Sequence, residues 1–167
     1  MTTSLSTRAL GRSDVSAIGL GCMPMSWAYL LGERDDGESV RVIEAALERG
    51  VTHLDTALMY GPHHNETLVG RAVRGGRDGV VVASKCGMVV EDAVKRRIRK
   101  DGRPETLRTQ CEASLGRLGV EAIDLYYLRR VDPDVPVEES WGALAGPVEE
   151  GTIRTLGRIE FEAGRAV

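Results

Sequence analysis

Residues 123–133 read IDLYYLRRVDP. Apolar and aromatic residues suited to a strand run from Ile123 to Leu128, then stop on Arg129 and Arg130. Side chains alternate along a strand, so Leu125, Tyr127 and Arg129 share a face. Two earlier stretches end the same way. VTHLD (51–55) places Val51, His53 and Asp55 on one face. VVVAS (80–84) leads into Lys85, which shares a face with Val81 and Ala83. In each case a mostly apolar row finishes on a charged group at the strand's C-terminal end. Charges gathered from the C-terminal ends of several parallel strands mark the active-site mouth of a barrel.

What lies between these strands agrees. DGESVRVIEAALERG (36–50) carries Val40, Ile43 and Leu47 at helical spacing, with Gly50 as a C-terminal cap. Asn65 can cap NETLVGRAVRGG, whose Leu68, Val69, Ala72 and Val73 form one stripe. Pro104 stands in the first turn of a helix with Leu107, Cys111, Leu115 and Leu118 on one side, ended by Gly119. Val137–Glu150 starts a further helix, and Ile153–Leu156 a further strand. Ahead of them, Thr7–Leu10 and Val15–Ala17 form a hairpin turning at Gly11, and Ala17–Gly21 is a first strand. The expected fold is α/β: one domain over 1–167 of parallel TIM-barrel-type βα units, with an N-terminal hairpin. It is expected to be truncated to about four units and part of a fifth strand.

The bulk properties narrow the class. A chain of 167 residues is enough for one core. Net charge of −3 argues against a general polyanion-binding surface. No stretch approaches the roughly 18 apolar residues of a membrane span. The three cysteines form no C-x-x-C pair, and the N-terminus has no apolar leader. Free thiols in a reducing cytoplasm are expected.

At this point the sequence resembles the aldo-keto reductases. GLGCMPMSWAY, HLDTALMYGPHHNETLVGRAV, ASKCG and IDLYYLRRVDPDVPVEESWGAL carry the likeness, in family order and spacing, over about Thr7 to Gly157. The resemblance implies an eight-stranded barrel and NADP(H)-dependent reduction of an aldehyde or ketone. It implies Tyr60 as the acid that protonates the carbonyl oxygen. It implies Lys85 as the cation that eases the tyrosine's proton loss, and Asp55 as the carboxylate that pairs with that lysine. Gly21, Cys22, Met23 and Asp55 correspond to the part near the nicotinamide end of the cofactor. The partner implied is a small carbonyl substrate, with neither nucleic acid nor membrane.

The sequence also departs from that pattern. Arg129 stands where the family usually has a histidine that hydrogen-bonds the carbonyl. Arginine donates hydrogen bonds but accepts none, and it stays charged. One consequence is an impaired proton relay, the first reading because other departures point the same way. The other is a clamp for an anionic substrate. Pro147 replaces a helix former and is expected to kink its helix. Arg158 and Ile159 replace an apolar residue and a serine. A full barrel takes about 250 residues, and phosphate usually binds after strands seven and eight, which these residues do not reach. A non-catalytic half-barrel or binding module is therefore the alternative. Strands one and four would then expose edges that favour self-association.

Other features have plainer readings. KRRIRK (95–100) reads as a solvated loop rather than an anion patch. Adjacent His63 and His64 lack metal-ligand spacing, so no metal is expected. His53 reads as a packed inward histidine. Trp27 and Tyr29 line a pocket or pack their loop.

Overall fold

Val81, Val82 and Ala83 begin a run buried on both faces, as the interior of a parallel sheet requires. In the computed structural model, residues 5–27, 34–76 and 78–159 are described. The strands are β1 (Thr7–Leu10), β2 (Ser13–Ser16), β3 (Leu20–Gly21), β4 (His53–Asp55), β5 (Val81–Cys86), β6 (Met88–Asp92), β7 (Arg97–Lys100), β8 (Leu125–Leu128) and β9 (Leu156–Arg158). The helices are α1 (Asp36–Glu48), α2 (His64–Val73), α3 (Pro104–Leu118) and α4 (Val137–Glu149). The main sheet has the order β3-β4-β5-β8-β9, all parallel, and α1 to α4 pack in sequence beside one another. This is the expected alternation, with each helix returning the chain to the next strand.

The two faces of the sheet differ. Leu54, Val82, Cys86, Tyr126 and Leu128 belong to the main core cluster, joined by Val69, Leu107 and Leu118 of the helix layer. His53, Asp55, Ala83, Lys85, Leu125 and Tyr127 alternate with these residues and occupy the opposite face. The β1–β2 hairpin lies at the N-terminal end of the sheet. There Ser16 and Thr52 exchange hydrogen bonds of 2.8 and 2.9 Å, and Gly11 sits against Thr155. The C-terminal strand ends are at the other side.

Several expectations need correction. The first strand is only Leu20–Gly21, because Ser16 Oγ donates to Ile18 O and Ala17 N to Ser6 O, holding the preceding residues in a bend. The last strand is Leu156–Arg158, with Ile153 reduced to a single bridge to Ile123. The first strand, β3, is an outer strand of the described sheet as expected, but β9 covers β8, so the other outer strand is β9 and not the fourth. The basic run is no loop: Arg97–Lys100 pairs antiparallel with Met88–Asp92, and every residue of β7 is exposed. Pro147, expected to kink its helix, falls inside α4. It lies buried in the last turn, where the carbonyl accepts from Thr152 and Ile153 and only one helical donor is forgone.

Two charged groups tie the helix layer to the sheet. Glu66 of α2 is fully buried and accepts from Ser84 Oγ of β5 and from Arg117 Nε of α3 at 2.6 Å. Gly70 lets α3 approach α2 closely, because a Cβ there would collide with the Leu118 carbonyl. Removing one partner of a buried pair leaves the other charge uncompensated. Glu66→Ala is therefore expected to lower unfolding free energy by about 3–5 kcal/mol in urea titrations, and Glu66→Gln by less. A loss below about 1 kcal/mol for Glu66→Ala would contradict this role.

Candidate functional site

The register of the three central strands determines which side chains meet. Gly21 is level with Asp55, Asp55 with Ala83, and Lys85 with Tyr127. Lys85 therefore stands two residues beyond the level of Asp55, and its long side chain reaches across to β4. Its ammonium is hydrogen-bonded to Asp55 Oδ1 and donates to Thr56 O at 2.7 Å. Lys85 is only 5% exposed, so this cation depends on those two oxygens. The Thr56 carbonyl is a partner the sequence did not suggest.

Tyr60 lies over the pair. Its chain leaves β4 through Thr56, whose N–H donates to Ala83 O at 2.9 Å, and turns so that Tyr60 N donates to Ala57 O at 3.0 Å. The Tyr60 ring centroid is 5.1 Å from Lys85 Nζ and 6.0 Å from Arg129 Cζ. The tyrosine is 4% exposed. Thus Asp55, Tyr60, Lys85 and Arg129, each expected at a strand end or in the loop after it, converge at one rim.

The loop after β3 closes the first side. Cys22 N donates to Asp55 O at 2.8 Å and Cys22 O accepts from Asn65 Nδ2 at 2.8 Å. Both backbone polar atoms of Cys22 are thereby used, and its thiol is buried. Gly21 is different: it is exposed, and a Cβ there would meet nothing within 4 Å. Its backbone is therefore bare beside Asp55. Met23 opens a 3-10 turn, Met23–Met25, and is partly buried. Tyr127 covers Gly157 so closely that a Cβ there would strike its ring. His53 faces the same interior with a buried Nε2 that has no hydrogen-bond partner among the described residues. Burial, reinforced by Lys85 and opposed by Asp55, favours its neutral form.

Asn65 does not cap α2. The helix begins at His64, with His63 in the left-handed region at its entrance. Asn65 is fully buried. Its amide donates to Cys22 O and Ser26 Oγ (2.7 Å), and its oxygen accepts from Thr56 Oγ1 at 2.6 Å. One side chain thus joins the ends of two site loops. His64 adds a second tie, with Nδ1 2.8 Å from Ser26 Oγ and Nε2 3.0 Å from Asp36 Oδ2. These contacts occupy His64, and the described residues contain no cluster of metal-ligating side chains. Arg96, at the tip of the β6–β7 hairpin, lies 5.7 Å from the Trp27 ring, so that aromatic packs against a cation. Tyr29 is outside the described residues.

The comparisons with known proteins bear on this arrangement. The Aldo/keto reductase family model matches residues 17–166. The chain belongs to the aldo/keto reductase family. A glycerol dehydrogenase from Gluconobacter oxydans is 34% identical, with a TM-score of 0.82 over 97% of this chain and 50% of its own. An aldo-keto reductase from Bacillus halodurans, in its holo form, is 31% identical with a TM-score of 0.80, covering 93% of this chain and 51% of its own. An aldo/keto reductase from Klebsiella pneumoniae, in complex with NADP and acetate, is 31% identical with a TM-score of 0.72, covering 90% and 47%. The chain thus spans about half the length of these reductases, and its βα units are those of their barrel.

The thiols around the site are protected. Burial pushes Cys22 up to about 12, helped by Asp55 and opposed by Lys85. Burial also raises Cys111 to about 11 and Cys86 further still. At pH 8 a thiol titrating near 11 is roughly one-thousandth thiolate, and thiolate is the reactive form. Ellman's reagent at pH 8 is expected to leave all three cysteines unmodified in the folded chain and to react with all three in guanidinium. Rapid native reaction of Cys22 would contradict the packing of this loop.

Proposed function

We propose that this chain carries the acid–base part of an NADP(H)-dependent aldehyde or ketone reductase, acting on a small carbonyl compound in the cytoplasm. One observation carries the reading: a buried lysine, held by Asp55 and the Thr56 carbonyl, lies directly beneath a buried tyrosine at a strand-end rim. Family membership supports the oxidoreductase type, and the Klebsiella reductase was solved with NADP. Three buried, unpaired thiols are consistent with a reducing compartment.

In this reading each residue has one task. Tyr60 donates its hydroxyl proton to the carbonyl oxygen. Lys85, beside the ring, offsets negative charge left on the phenol. Asp55 fixes Lys85, whose flexible stem would otherwise wander. Gly21 and Met23 border the place for the nicotinamide, and Cys22 shapes that loop from within. The cofactor, when bound, supplies the hydride. A buried position for Tyr60 and Lys85 limits competition from water.

A second reading is a half-barrel that binds without turnover. Two points favour it: by the resemblance Arg129 stands where the family usually has a histidine, and β3 and β9 each have a single neighbour in the described sheet. Open strand edges favour self-association.

Titrating the full chain with NADPH and following cofactor fluorescence separates the two. The reductase reading expects saturable binding in the micromolar range, and no binding up to millimolar concentrations overturns it. Tyr60→Phe is expected to lower kcat by about 10²–10⁴ while leaving cofactor affinity unchanged. Unchanged turnover would remove Tyr60 from the proposed role. A concentration-dependent rise in mass by light scattering would support edge pairing, and a constant monomer mass would not.

A further inference from the structure

Charge around Tyr60 is unbalanced. Two cations, Lys85 and Arg129, lie within 6.0 Å of its ring centroid. Among the described residues of that sheet face the carboxylate is Asp55, and it is taken by Lys85. Arg129 is half-buried. Its backbone N–H donates to Cys86 O at 3.0 Å, extending the ladder between β5 and β8 and holding the residue in the row of Leu125 and Tyr127. Its guanidinium makes no ion pair and no side-chain hydrogen bond among the described residues. Its guanidinium lies over the Tyr60 ring. The contrast with other arginines is direct: Arg117 pairs with Glu66, Arg103 with Asp101, and Arg154 with Asp124.

A partly desolvated guanidinium with its donors free is a receptor for an anion. Its flat fork matches a carboxylate with two parallel hydrogen bonds. The short separation from Tyr60 restricts where that carboxylate sits relative to the reacting carbonyl. A small molecule with a carboxylate for Arg129 and a ketone for Tyr60 on adjacent carbons suits two groups set this close together.

We propose that Arg129 is the anion-binding half of this site and that its ligand is a 2-oxo acid. The proposal rests on the reductase reading given above, and it names the substrate class. The reaction would take a hydride from a reduced nicotinamide to the ketone carbon, breaking the C=O π bond and forming a C–H bond. The oxygen takes the Tyr60 proton, giving a 2-hydroxy acid. The nicotinamide is oxidised, and Tyr60 regains its proton from solvent. The carboxylate is untouched and serves as the handle. Arginine then replaces carbonyl hydrogen bonding by a histidine with substrate positioning through a fixed charge.

The test compares a 2-oxo acid with its own methyl ester, which keeps the ketone and removes the charge. The full chain is titrated with phenylglyoxylate and with methyl phenylglyoxylate by calorimetry, and the Arg129 Nε–Hε NMR signal is followed in the unaltered protein. The acid is expected to bind at least ten-fold more tightly than the ester and to shift that signal. In Arg129→Met the preference should fall to near unity, and in Arg129→Lys to an intermediate value. Equal affinity for acid and ester overturns the proposal, as does a preference that survives Arg129→Met. Displacement by inorganic phosphate at the same affinity would also overturn it, since that marks an unselective anion site. If Arg129→Met fails to fold, the unaltered protein's Nε signal decides, and no shift with phenylglyoxylate overturns the proposal. NADPH oxidation with phenylglyoxylate is measured separately. Selective binding without oxidation upholds the anion site and rejects only the reductase reading.

Discussion

The buried ammonium of Lys85 is the constraint on which this site depends. Lysine is rarely taken out of water without partners, because its charge loses several kcal/mol of hydration unless oxygens replace the solvent. Here Asp55 Oδ1 and Thr56 O replace it. Both belong to the end of β4 and the residue after it, so the pair ties the end of β4 to that of β5 across a two-residue offset. The chain leaving β4 must then rise over the pair, which brings Tyr60 above Lys85. The charge requirement of one side chain therefore sets the position of the next.

Loop order follows from the same corner. Thr56 gives its carbonyl to Lys85, its N–H to Ala83 O and its hydroxyl to Asn65. Asn65 in turn holds Cys22 O and Ser26 Oγ. All of these polar groups are satisfied within the protein, as buried polar groups generally are. A satisfied network of this kind makes the loops after β3 and β4 a single unit with the sheet. Gly21, beside this unit, leaves its backbone exposed.

Strand ends were the legible part of the sequence. Asp55, Lys85 and Arg129 each close an alternating row, so period-two reading placed them on one face before any contact was known. Helices with strong apolar stripes were equally clear, including Pro104 at the start of α3 and Gly119, whose positive φ of 66° ends it. Asn65 was misread because its type and position suit a cap, while its partners lie 9, 39 and 43 residues away. No local signal reports such distances. The β6–β7 hairpin was missed because the exposed, charged RIRK segment looks the same as a solvated loop until it pairs.

The family's barrel supplies the scaffold, and Arg129 adds a second cation at the rim beside the Asp55–Lys85 pair. The claim most open to direct test is that Asp55 and Lys85 act as one unit. A double-mutant cycle of Asp55→Asn and Lys85→Met, read by urea unfolding, measures this coupling. The pair as described requires a coupling free energy of about 1 kcal/mol or more, with the double variant less destabilised than the sum of the single ones. Additive effects, within about 0.3–0.5 kcal/mol, would contradict it.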